Sequence, residues 1–331
     1  MTASLRPLQL DLHDMQILCD LLEFERKQHQ PLRTAQERLE DRTSAGCIAM
    51  GSVAQIDGCA VGVSTLMKPM MDLFPDTIGI WVVVHPNHRK QGIGALLADA
   101  QRDACIKAGL TAQMSAVPLD DAPAIALADG VGFREVDRGY SLSFDLDTWD
   151  AAAGPRALED AKEAGVEVLS LAQLVGRHDD WSSRLYPLAF ECAQDIPTTM
   201  GLSAECMVGS TPDEFESKLQ TMRIDMDASF VALVDGCCAS TTWITRLAQA
   251  VYGVSMTGTS RPFRRQGLVK ILKQSSLSWC RSQGVRWLNT QQHESNQPML
   301  ELNKQLGFKV QHGHAILRRD LPVQAVGSTA R

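Results

Sequence analysis

The chain has 331 residues, of which 44% are hydrophobic and 21% charged, and its formal net charge is −7. This length and composition predict two domains with packed cores. The acidic balance argues against a broad nucleic-acid-binding surface, and the apolar runs are too short for a transmembrane helix. The first residues lack the order of a signal peptide, so we expect a cytoplasmic protein with no nucleic-acid or membrane partner.

The nine cysteines are scattered along the chain and include no Cys-x-x-Cys pair. An odd number without paired spacing predicts neither a disulfide framework nor a zinc site. We therefore expect reduced cysteines, most of them small core residues, and no metal site.

The first half of the sequence predicts strands that alternate with helices. Asp57-Gly58 predicts a tight β-hairpin, and Thr34 to Glu37 is typical of a capping box. In chain order the predicted elements are strand 5–10, helix 14–24, a helix from 34, strands 47–55, 59–66 and 78–84, a helix from 93 to about 108, strand 111–117, helix 122–129, and a final strand or strand pair 133–146.

A basic loop joins the strand at 78–84 to the long helix. It reads Arg89-Lys90-Gln91-Gly92-Ile93-Gly94, and the apolar residues from Ile93 onward have helical spacing. The first N–H groups of a helix have no internal partner, so a glycine-containing loop at this point predicts an anion site. The loop lacks the glycine spacing of a dinucleotide fingerprint and the ending of a P-loop. Taken alone, it is equally consistent with a surface turn.

The sequence contains an internal duplication. Three features recur 175 positions apart: the Arg-x-Gln-Gly loop at 89–92 and 264–267, a glycine at 109 and 284, and Gly-Phe at 132–133 and 307–308. The Asp-Gly turns at 57–58 and 235–236 differ by 178, so a short length change lies between them. We therefore predict two homologous domains, 1–147 and 166–331, with a linker at 148–165 that is rich in Ala, Gly and acidic residues.

The second half repeats the order of the first. Thr211 to Glu214 is typical of a capping box, with proline at the first helical position. The predicted elements are strand 166–171, helix 181–192, helix 212–222, strands 230–234, 238–244 and 249–257, a long helix after the second loop, strand 286–290, helix 296–306 and strand 309–317, followed by a loose tail from Pro322.

The combination of strand, basic Arg-x-x-Gly-x-Gly loop, long helix, strand, short helix ending in Gly-Phe and strand resembles the GNAT superfamily of acyl-CoA N-acyltransferases. The doubled chain is similar to its tandem members of the mycothiol synthase type. The specific motifs cover 78–133 and 253–308, and the second loop departs at Val269, where the family usually has Gly or Ala. The resemblance implies an α/β (α+β) fold class: two tandem domains, each a twisted mixed sheet flanked by helices. Each sheet would open between its fourth and fifth strands.

The resemblance also implies acetyl-CoA as cosubstrate. Backbone N–H groups of each loop would bind its pyrophosphate, and the strand before each loop would bind its pantetheine arm. The residues expected to bind acetyl-CoA are Val82, Val84, Arg89, Lys90, Gln91, Gly92, Ile93 and Gly94 in the first half, and Thr257, Thr259, Arg264, Arg265, Gln266, Gly267, Leu268, Val269 and Asn296 in the second.

The reaction implied is direct attack of a small-molecule amine on the thioester, which makes the protein an N-acetyltransferase. Many family members use a tyrosine near the Gly-Phe turn to protonate the leaving thiolate. The matching positions here are Ala128 and Asn303. Neither can act as an acid, although Asn303 could donate a hydrogen bond. The candidate catalytic residues are Asn303, His293 and Tyr252.

The base that deprotonates the amine stays open. Further candidates are Asp179, Asp180, Glu191 and Asp195 in the second half and Asp72, His85 and His88 in the first. We expect the C-terminal half to be catalytic, because it keeps the richer acceptor-side pattern, although the first half has the better phosphate loop. The alternatives are a non-catalytic acyl-CoA-binding or scaffold protein and, against the acidic balance, a transferase that uses charged tRNA. The oligomeric state is open.

Overall fold

The structure is a computed structural model that describes residues 2–23, 34–36, 38–39, 51–67, 77–197, 203–248 and 250–322. Glu37 of the first capping box, Cys47 and Asp72 lie outside these residues. The chain forms two compact units: unit 1 comprises Met1–Arg138 and His314–Arg331, and unit 2 comprises Gly139–Gly313. No helix in the described part of the chain has the length and hydropathy needed to cross a membrane.

Unit 1 is a mixed sheet with helices. Its elements are β1 (Ser4–Pro7), α1 (Leu12–Glu23), β2 (Gly51–Ile56), β3 (Cys59–Met67), β4 (Thr77–Val84), α2 (Ile93–Lys107), β5 (Ala112–Pro118), α3 (Ala122–Gly130) and part of β12 (Lys309–Asp320). The strands lie in the order β1-β2-β3-β4-β5-β12, and β4 and β5 form the parallel pair. Asp57 and Gly58 both have positive φ, at 49° and 80°, as a two-residue type I′ hairpin turn requires.

Unit 2 has the same arrangement. Its elements are part of β6 (Arg134–Asp145), α4 (Ala153–Glu163), β7 (Val166–Ser170), α5 (Leu171–Arg177), α6 (Trp181–Gln194), α7 (Ala204–Val208), α8 (Pro212–Thr221), β8 (Phe230–Val234), β9 (Cys237–Ala248), β10 (Val251–Thr259), α9 (Leu268–Ser282), β11 (Trp287–His293) and α10 (Gln297–Leu306). The strands lie in the order β7-β8-β9-β10-β11-β6, again with one parallel pair, β10 and β11. The predicted α/β fold class is confirmed.

The last strand of each sheet comes from the other half of the sequence. In unit 2, residues 139–145 of β6 pair antiparallel with β11, and in unit 1, residues 314–320 of β12 pair antiparallel with β5. The predicted domains, 1–147 and 166–331, follow the sequence duplication. The compact units differ from them, because each unit contains a strand from the other half of the sequence. The reason is backbone pairing: each sheet leaves one edge of its fifth strand to be covered, and the exchanged strand covers it.

The predicted linker contains a helix that belongs to unit 2. Helix α4 packs on α9 so closely that a Cβ added to Gly154 would lie 2.6 Å from Cβ of Ser278. Helix α5 was not predicted, although Ser170 and Gln173 form a capping box at its start, with bonds of 2.9 and 3.1 Å. That Ser-x-x-Gln pattern is visible in the sequence and could have identified the helix.

A buried arginine completes the core of unit 1. Arg319 of β12 is 4% exposed and lies over the ring of Phe133, 4.7 Å from its centroid. Its guanidinium donates to the backbone oxygens of Val131 (2.7 Å) and Ala98 (3.1 Å) and to Oε1 of Gln113 (3.0 Å from Nε). Burial lowers the pKa of Arg319, and these acceptors take the place of the water that the cation has lost.

Unit 2 carries a cation on the equivalent ring, but from a different element. Phe308 corresponds to Phe133, and Nζ of Lys273 on α9 lies 5.5 Å from its centroid. Lys273 is 3% exposed, and no hydrogen bond or ion pair joins it to another residue in the described part of the chain. Burial lowers its pKa to about 8. Unlike Arg319, this cation has the ring as its one stabilising contact among the described residues.

Replacing Lys273 with methionine is expected to stabilise unit 2 at pH 7. Lowering the pKa from 10.5 to about 8 corresponds to about 3 kcal/mol, of which the contact with the Phe308 ring offsets about 1 kcal/mol. The expected gain in the free energy of unfolding is about 2 kcal/mol, and it is complete below pH 8. It disappears as the pH rises through 10.5, where the lysine is neutral in both the folded and the unfolded state. Urea unfolding of both proteins across this pH range measures it, and a loss of stability at pH 7 would contradict it.

Candidate active site

The loop between β4 and α2 has an unusual backbone. After a short helical turn at Pro86–His88, Lys90 has φ 60° and Gly92 has φ 81°. Two side chains hold the loop in this shape: Nε of Arg89 donates to the backbone oxygen of Val84 (3.0 Å), and Nε2 of Gln91 donates to that of Asn87 (3.3 Å). A non-glycine residue at positive φ is strained, and such strain concentrates at functional sites.

The loop between β10 and α9 repeats these features. Arg265 has φ 63° and Gly267 has φ 79°. Nε of Arg264 donates to the backbone oxygen of Thr259 (3.0 Å), and Nε2 of Gln266 donates to that of Pro262 (3.4 Å). The same strain and the same two side-chain bonds therefore occur in both units, which a surface turn would not require.

Both loops leave the backbone N–H groups at the start of the following helix without a side-chain cap. Neither Gly92 nor Gly267 forms a side-chain cap, so the first N–H groups of α2 and α9 are left for another acceptor. A Cβ added to either glycine would meet nothing within 4 Å, so the space in front of each helix is open. Gly94 is different, because a Cβ there would lie 2.8 Å from Cδ2 of Leu127. Packing against α3, and not the ligand, accounts for that glycine.

Two carboxylates of unit 2 hold its loop in place. Glu191 accepts from Oγ of Ser260 (2.6 Å) and from the backbone N of Arg261 (2.7 Å). Asp195 accepts from Nη2 of Arg261 (2.9 Å) and from Arg264. The hydrogen bond from Arg261 is the main cause that lowers the pKa of Asp195. Both carboxylates are candidate bases, and both form hydrogen bonds with the loop.

Asp180, a third candidate base, is paired outside the loop. Its carboxylate accepts from Nε of Arg184 (2.8 Å), which lowers its pKa. In unit 1, Nδ1 of His85 accepts from the backbone N of Asn87 (3.2 Å) and so caps the turn that precedes the loop. Asp180 is therefore poorly prepared to take a proton from an amine, because a lowered carboxyl pKa makes a weaker base.

The fourth and fifth strands of each sheet separate next to the loop. β4 pairs with β5 only from Thr77 to Gly79, and β10 pairs with β11 only from Val251 to Val254. In the described structure, 80–84 of β4 and 255–259 of β10 continue to the loops without a partner on this side. A register shift against β9 between Val254 and Met256 coincides with the separation in unit 2.

The strand residues predicted to bind the arm lie on these open stretches. Val82 and Val84 lie on β4, and Thr257 and Thr259 lie on β10. The threonine side chains are engaged elsewhere: the Oγ1 atoms of Thr257 and Thr242 are 3.0 Å apart, and Thr259 bonds Ser240 at 2.8 Å. Their contribution to an extended ligand would therefore come from the backbone.

The three candidate catalytic residues lie on three different elements, β10, β11 and α10. Tyr252 lies in the closed part of the sheet, paired with Leu288, and is 7% exposed in a hydrophobic cluster. Burial raises its pKa. His293 lies at the far end of β11, where its Nδ1 is 3.0 Å from the backbone N and 2.7 Å from Oγ of Ser295. Tyr252 is thus on the opposite side of the point where the strands separate, and its catalytic role stays a prediction.

Asn303 is completely buried and bonds a residue that the sequence analysis did not single out. Its Nδ2 donates to Oε1 of Gln292 on β11 (3.0 Å), and its exposed fraction is 0%. Asn296 caps α10 by accepting from the backbone N of Met299 (3.4 Å). Asp121, 175 positions earlier, caps α3 in the same way at 3.0 Å. The two units therefore differ in charge at this position.

Comparisons with known proteins agree with this geometry. The sequence profile of the Acetyltransferase (GNAT) family matches residues 12–133 and 197–308. A GCN5-related N-acetyltransferase from Sphaerobacter thermophilus is similar in structure, with TM-score 0.71 and 17% identity over 96% of this chain and 95% of that one. A tandem GNAT protein from the clavulanic acid biosynthesis pathway has TM-score 0.68 and 21% identity over 96% and 98% of the two chains. No curated protein sequence gives a significant match.

The family profile thus covers most of both halves, each with its own strand, loop and helix. The two similar structures show the fold over nearly the whole chain. The protein is an acyltransferase, and the chain belongs to the GNAT family of acetyltransferases with two copies of the family fold in tandem.

Proposed function

We propose that this protein transfers the acetyl group of acetyl-CoA to a small-molecule amine by direct attack of the amine on the thioester. One observation carries the proposal: in each unit an anion-binding loop stands at the end of a strand whose neighbour has separated from it. The loop offers backbone N–H groups to a diphosphate, and the open strand edge offers peptide groups to an extended arm that contains amides. This is the shape and chemistry of coenzyme A.

The chemical step depends more on positioning the amine and the thioester than on a covalent intermediate with the protein. The amine nitrogen bonds to the thioester carbon, the carbon–sulfur bond breaks with its electrons on sulfur, and the amine gives up a proton to a base or to water. Holding the amine and the thioester in contact supplies a large part of the rate enhancement. Glu191, Asp195 and Asp180 are engaged with arginines, so the candidates for the base that stay open are His293, Tyr252, Asp179, His85, His88 and a water molecule.

We further propose that unit 2 carries out the transfer and that unit 1 binds acetyl-CoA. Asn296 can donate an amide N–H to the cosubstrate, whereas the carboxylate of Asp121 can only accept. Unit 2 has an amide on β11 at Gln292, bonded to the buried amide of Asn303, and the counterparts of these residues in unit 1, Val117 and Ala128, are core residues. Unit 1 thus keeps the loop without polar groups at these positions.

A coenzyme A release assay tests the proposal. The full chain is incubated with acetyl-CoA and a panel of small primary amines, and the thiol is detected with dithionitrobenzoate. We expect turnover with at least one amine, loss of turnover in Gly267→Asp and its persistence in Gly92→Asp. Tight acetyl-CoA binding without turnover for any amine would favour a non-catalytic binding protein. Loss of turnover only in Gly92→Asp would assign catalysis to unit 1.

Asn296→Asp is expected to weaken acetyl-CoA binding by unit 2 about tenfold, the cost of one lost hydrogen bond of ordinary strength. Folding should be unaffected, because Asp121 already caps α3 in unit 1. Calorimetric titration measures the change, with Asp121→Asn as the matched variant in unit 1. Equal affinity of Asn296→Asp and the parent would mean that Asn296 serves only as a cap.

A further inference from the structure

Gln292 and Asn303 form an amide pair whose orientation is set by burial. Nδ2 of Asn303 donates to Oε1 of Gln292, and Oδ1 of Asn303 is buried with no hydrogen-bond partner among the described residues. The reverse orientation would instead bury an NH2 group with two unused donors. A buried unpaired carbonyl oxygen is tolerated better than unpaired N–H groups. The pair therefore holds the Gln292 amide with its oxygen toward Asn303.

This orientation leaves the Nε2 group of Gln292 directed away from Asn303. Gln292 is half-buried, and its bond with Asn303 is the polar contact that its side chain makes within the described part of the chain. The amide nitrogen carries two hydrogens and no charge. Asn303 thus fixes the orientation of the Gln292 amide. The Nε2 hydrogens of Gln292 remain available to donate to a ligand.

The space beside Gln292 is the inner end of the gap between β10 and β11. Thr290 is the last β11 residue paired with β10, while β11 stays paired with β6 through Gln292 and His293. From Thr259 at the loop to Val254 is five residues, or about 17 Å of extended strand. An arm anchored by its diphosphate at the loop would run back along this stretch. The thioester at the end of the arm would then lie where β10 and β11 join, next to Gln292.

We propose that Gln292, oriented by Asn303, donates a hydrogen bond to the sulfur of acetyl-CoA and to the thiolate that leaves. The inference rests on the proposed function and adds the residue that serves the leaving group. Gln292 would be a catalytic residue, because it touches a reacting atom, and Asn303 a positioning residue. In unit 1, Val117 and Ala128 occupy the equivalent positions, so the thiolate would have no such donor there.

A neutral donor is sufficient for this leaving group. As the tetrahedral intermediate collapses, the carbon–sulfur bond breaks and its electron pair moves onto sulfur. An alkyl thiol has a pKa of about 8.5, so its thiolate can leave without prior protonation. A hydrogen bond from an amide N–H stabilises the developing negative charge, and the thiolate takes its proton from water after release. No acid, metal or oxidant is required.

The proposal is tested with coenzyme A alone, because the acceptor is unknown. The thiol of bound coenzyme A is titrated through the ultraviolet absorbance of its thiolate. Gly92→Asp is used as the background so that unit 2 holds the ligand, and calorimetry establishes the stoichiometry. A donor that bonds the thiolate lowers the pKa of the bound thiol. We expect Gln292→Leu to raise that pKa by about 1 relative to the background, the equivalent of one hydrogen bond of ordinary strength.

Three further variants sharpen the test. Gln292→Glu keeps the size of the side chain but places an acceptor before the sulfur, so the thiol pKa should rise at least as far. Asn303→Asp should reverse the Gln292 amide, because a carboxylate can only accept from it, and should also raise the thiol pKa. Gln291→Leu is the matched control: Gln291 is exposed and points to the opposite face of β11, so no change is expected. Thermal melting of each variant reports its folding.

The outcomes separate this inference from the proposed function. If unit 2 binds coenzyme A and Gln292→Leu leaves the thiol pKa at the value of Gln291→Leu, the donor role is wrong while the proposed function stands. If unit 2 does not bind coenzyme A at all, both the donor role and the assignment of the transfer to unit 2 are overturned. Once an acceptor is identified, Gln292→Leu should lower kcat about 10- to 100-fold with little change in the KM for acetyl-CoA.

Discussion

Gly267→Asp is expected to abolish acetyl-CoA binding by unit 2, and Gly92→Asp to abolish it in unit 1. Each glycine has a φ near +80° at the helix start, with open space where a Cβ would stand. A carboxylate placed there would face the diphosphate. Such a like-charge contact costs several kcal/mol, so affinity at that unit should fall about 100-fold or more. Calorimetry should show the loss of one site in each single variant and of both sites in the double variant.

Asparagine provides the matched control for these variants. It has the shape of aspartate, tolerates positive φ and carries no charge, so Gly267→Asn and Gly92→Asn should bind markedly better than the aspartate variants. Any strain that a side chain causes at this positive φ is shared by the asparagine variants, so the comparison isolates the charge, and thermal melting of each variant reports its folding. If both aspartate variants titrate like the parent, the loops do not bind the cosubstrate.

Arg319→Met is expected to destabilise unit 1 by about 3 to 4 kcal/mol. The substitution removes a cation over the Phe133 ring and leaves two buried acceptors without their donor: Oε1 of Gln113 and the backbone oxygen of Val131. The backbone oxygen of Ala98 loses one bond but keeps its bond within α2. Part of the cost is offset, since the buried guanidinium no longer has to be desolvated. Urea unfolding of the full chain, followed through the transition of unit 1, measures the effect.

A double-mutant cycle separates the lost bonds from the lost packing. The positions of Arg319 and Gln113 are occupied by Phe144 and Leu288 in unit 2, 175 positions away in each case. Arg319→Met combined with Gln113→Leu removes both partners, so it should cost clearly less than the two single changes added together. Strict additivity would show that the two side chains do not depend on each other. Arg319→Lys, which keeps the charge without the planar fork, should fall between parent and methionine.

The contrast between Arg319 and Lys273 shows how the duplicated units diverged at one ring. Arg319 has acceptors for its N–H groups, and its removal should be costly. Lys273 has only the ring of Phe308, and its removal should be favourable at pH 7. The charge of a residue does not tell from the sequence whether its removal will destabilise or stabilise the protein. The acceptors supplied by distant elements decide it.

Local signals in the sequence predicted much of the fold. The Asp-Gly hairpins, the two basic loops before long amphipathic helices and the duplicated spacing all depend on neighbours in the chain, and the structure contains each of these elements. The loops could be predicted as anion sites because glycine conformation and helix termini follow from local sequence. The strand ends shifted by a few residues, and two short helices, α5 and α7, were missed.

What the sequence alone determined is therefore the element order, the duplication and the place of the two basic loops, because these depend on residues that are near neighbours in the chain. The tertiary structure decided which strand closes which sheet, since β6 pairs with β11 and β12 with β5 across large separations in the sequence. It also paired Gln292 with Asn303 and Arg319 with Gln113, across 11 and 206 positions. Such pairs depend on how helices and strands pack together, and no local pattern in the chain specifies that packing.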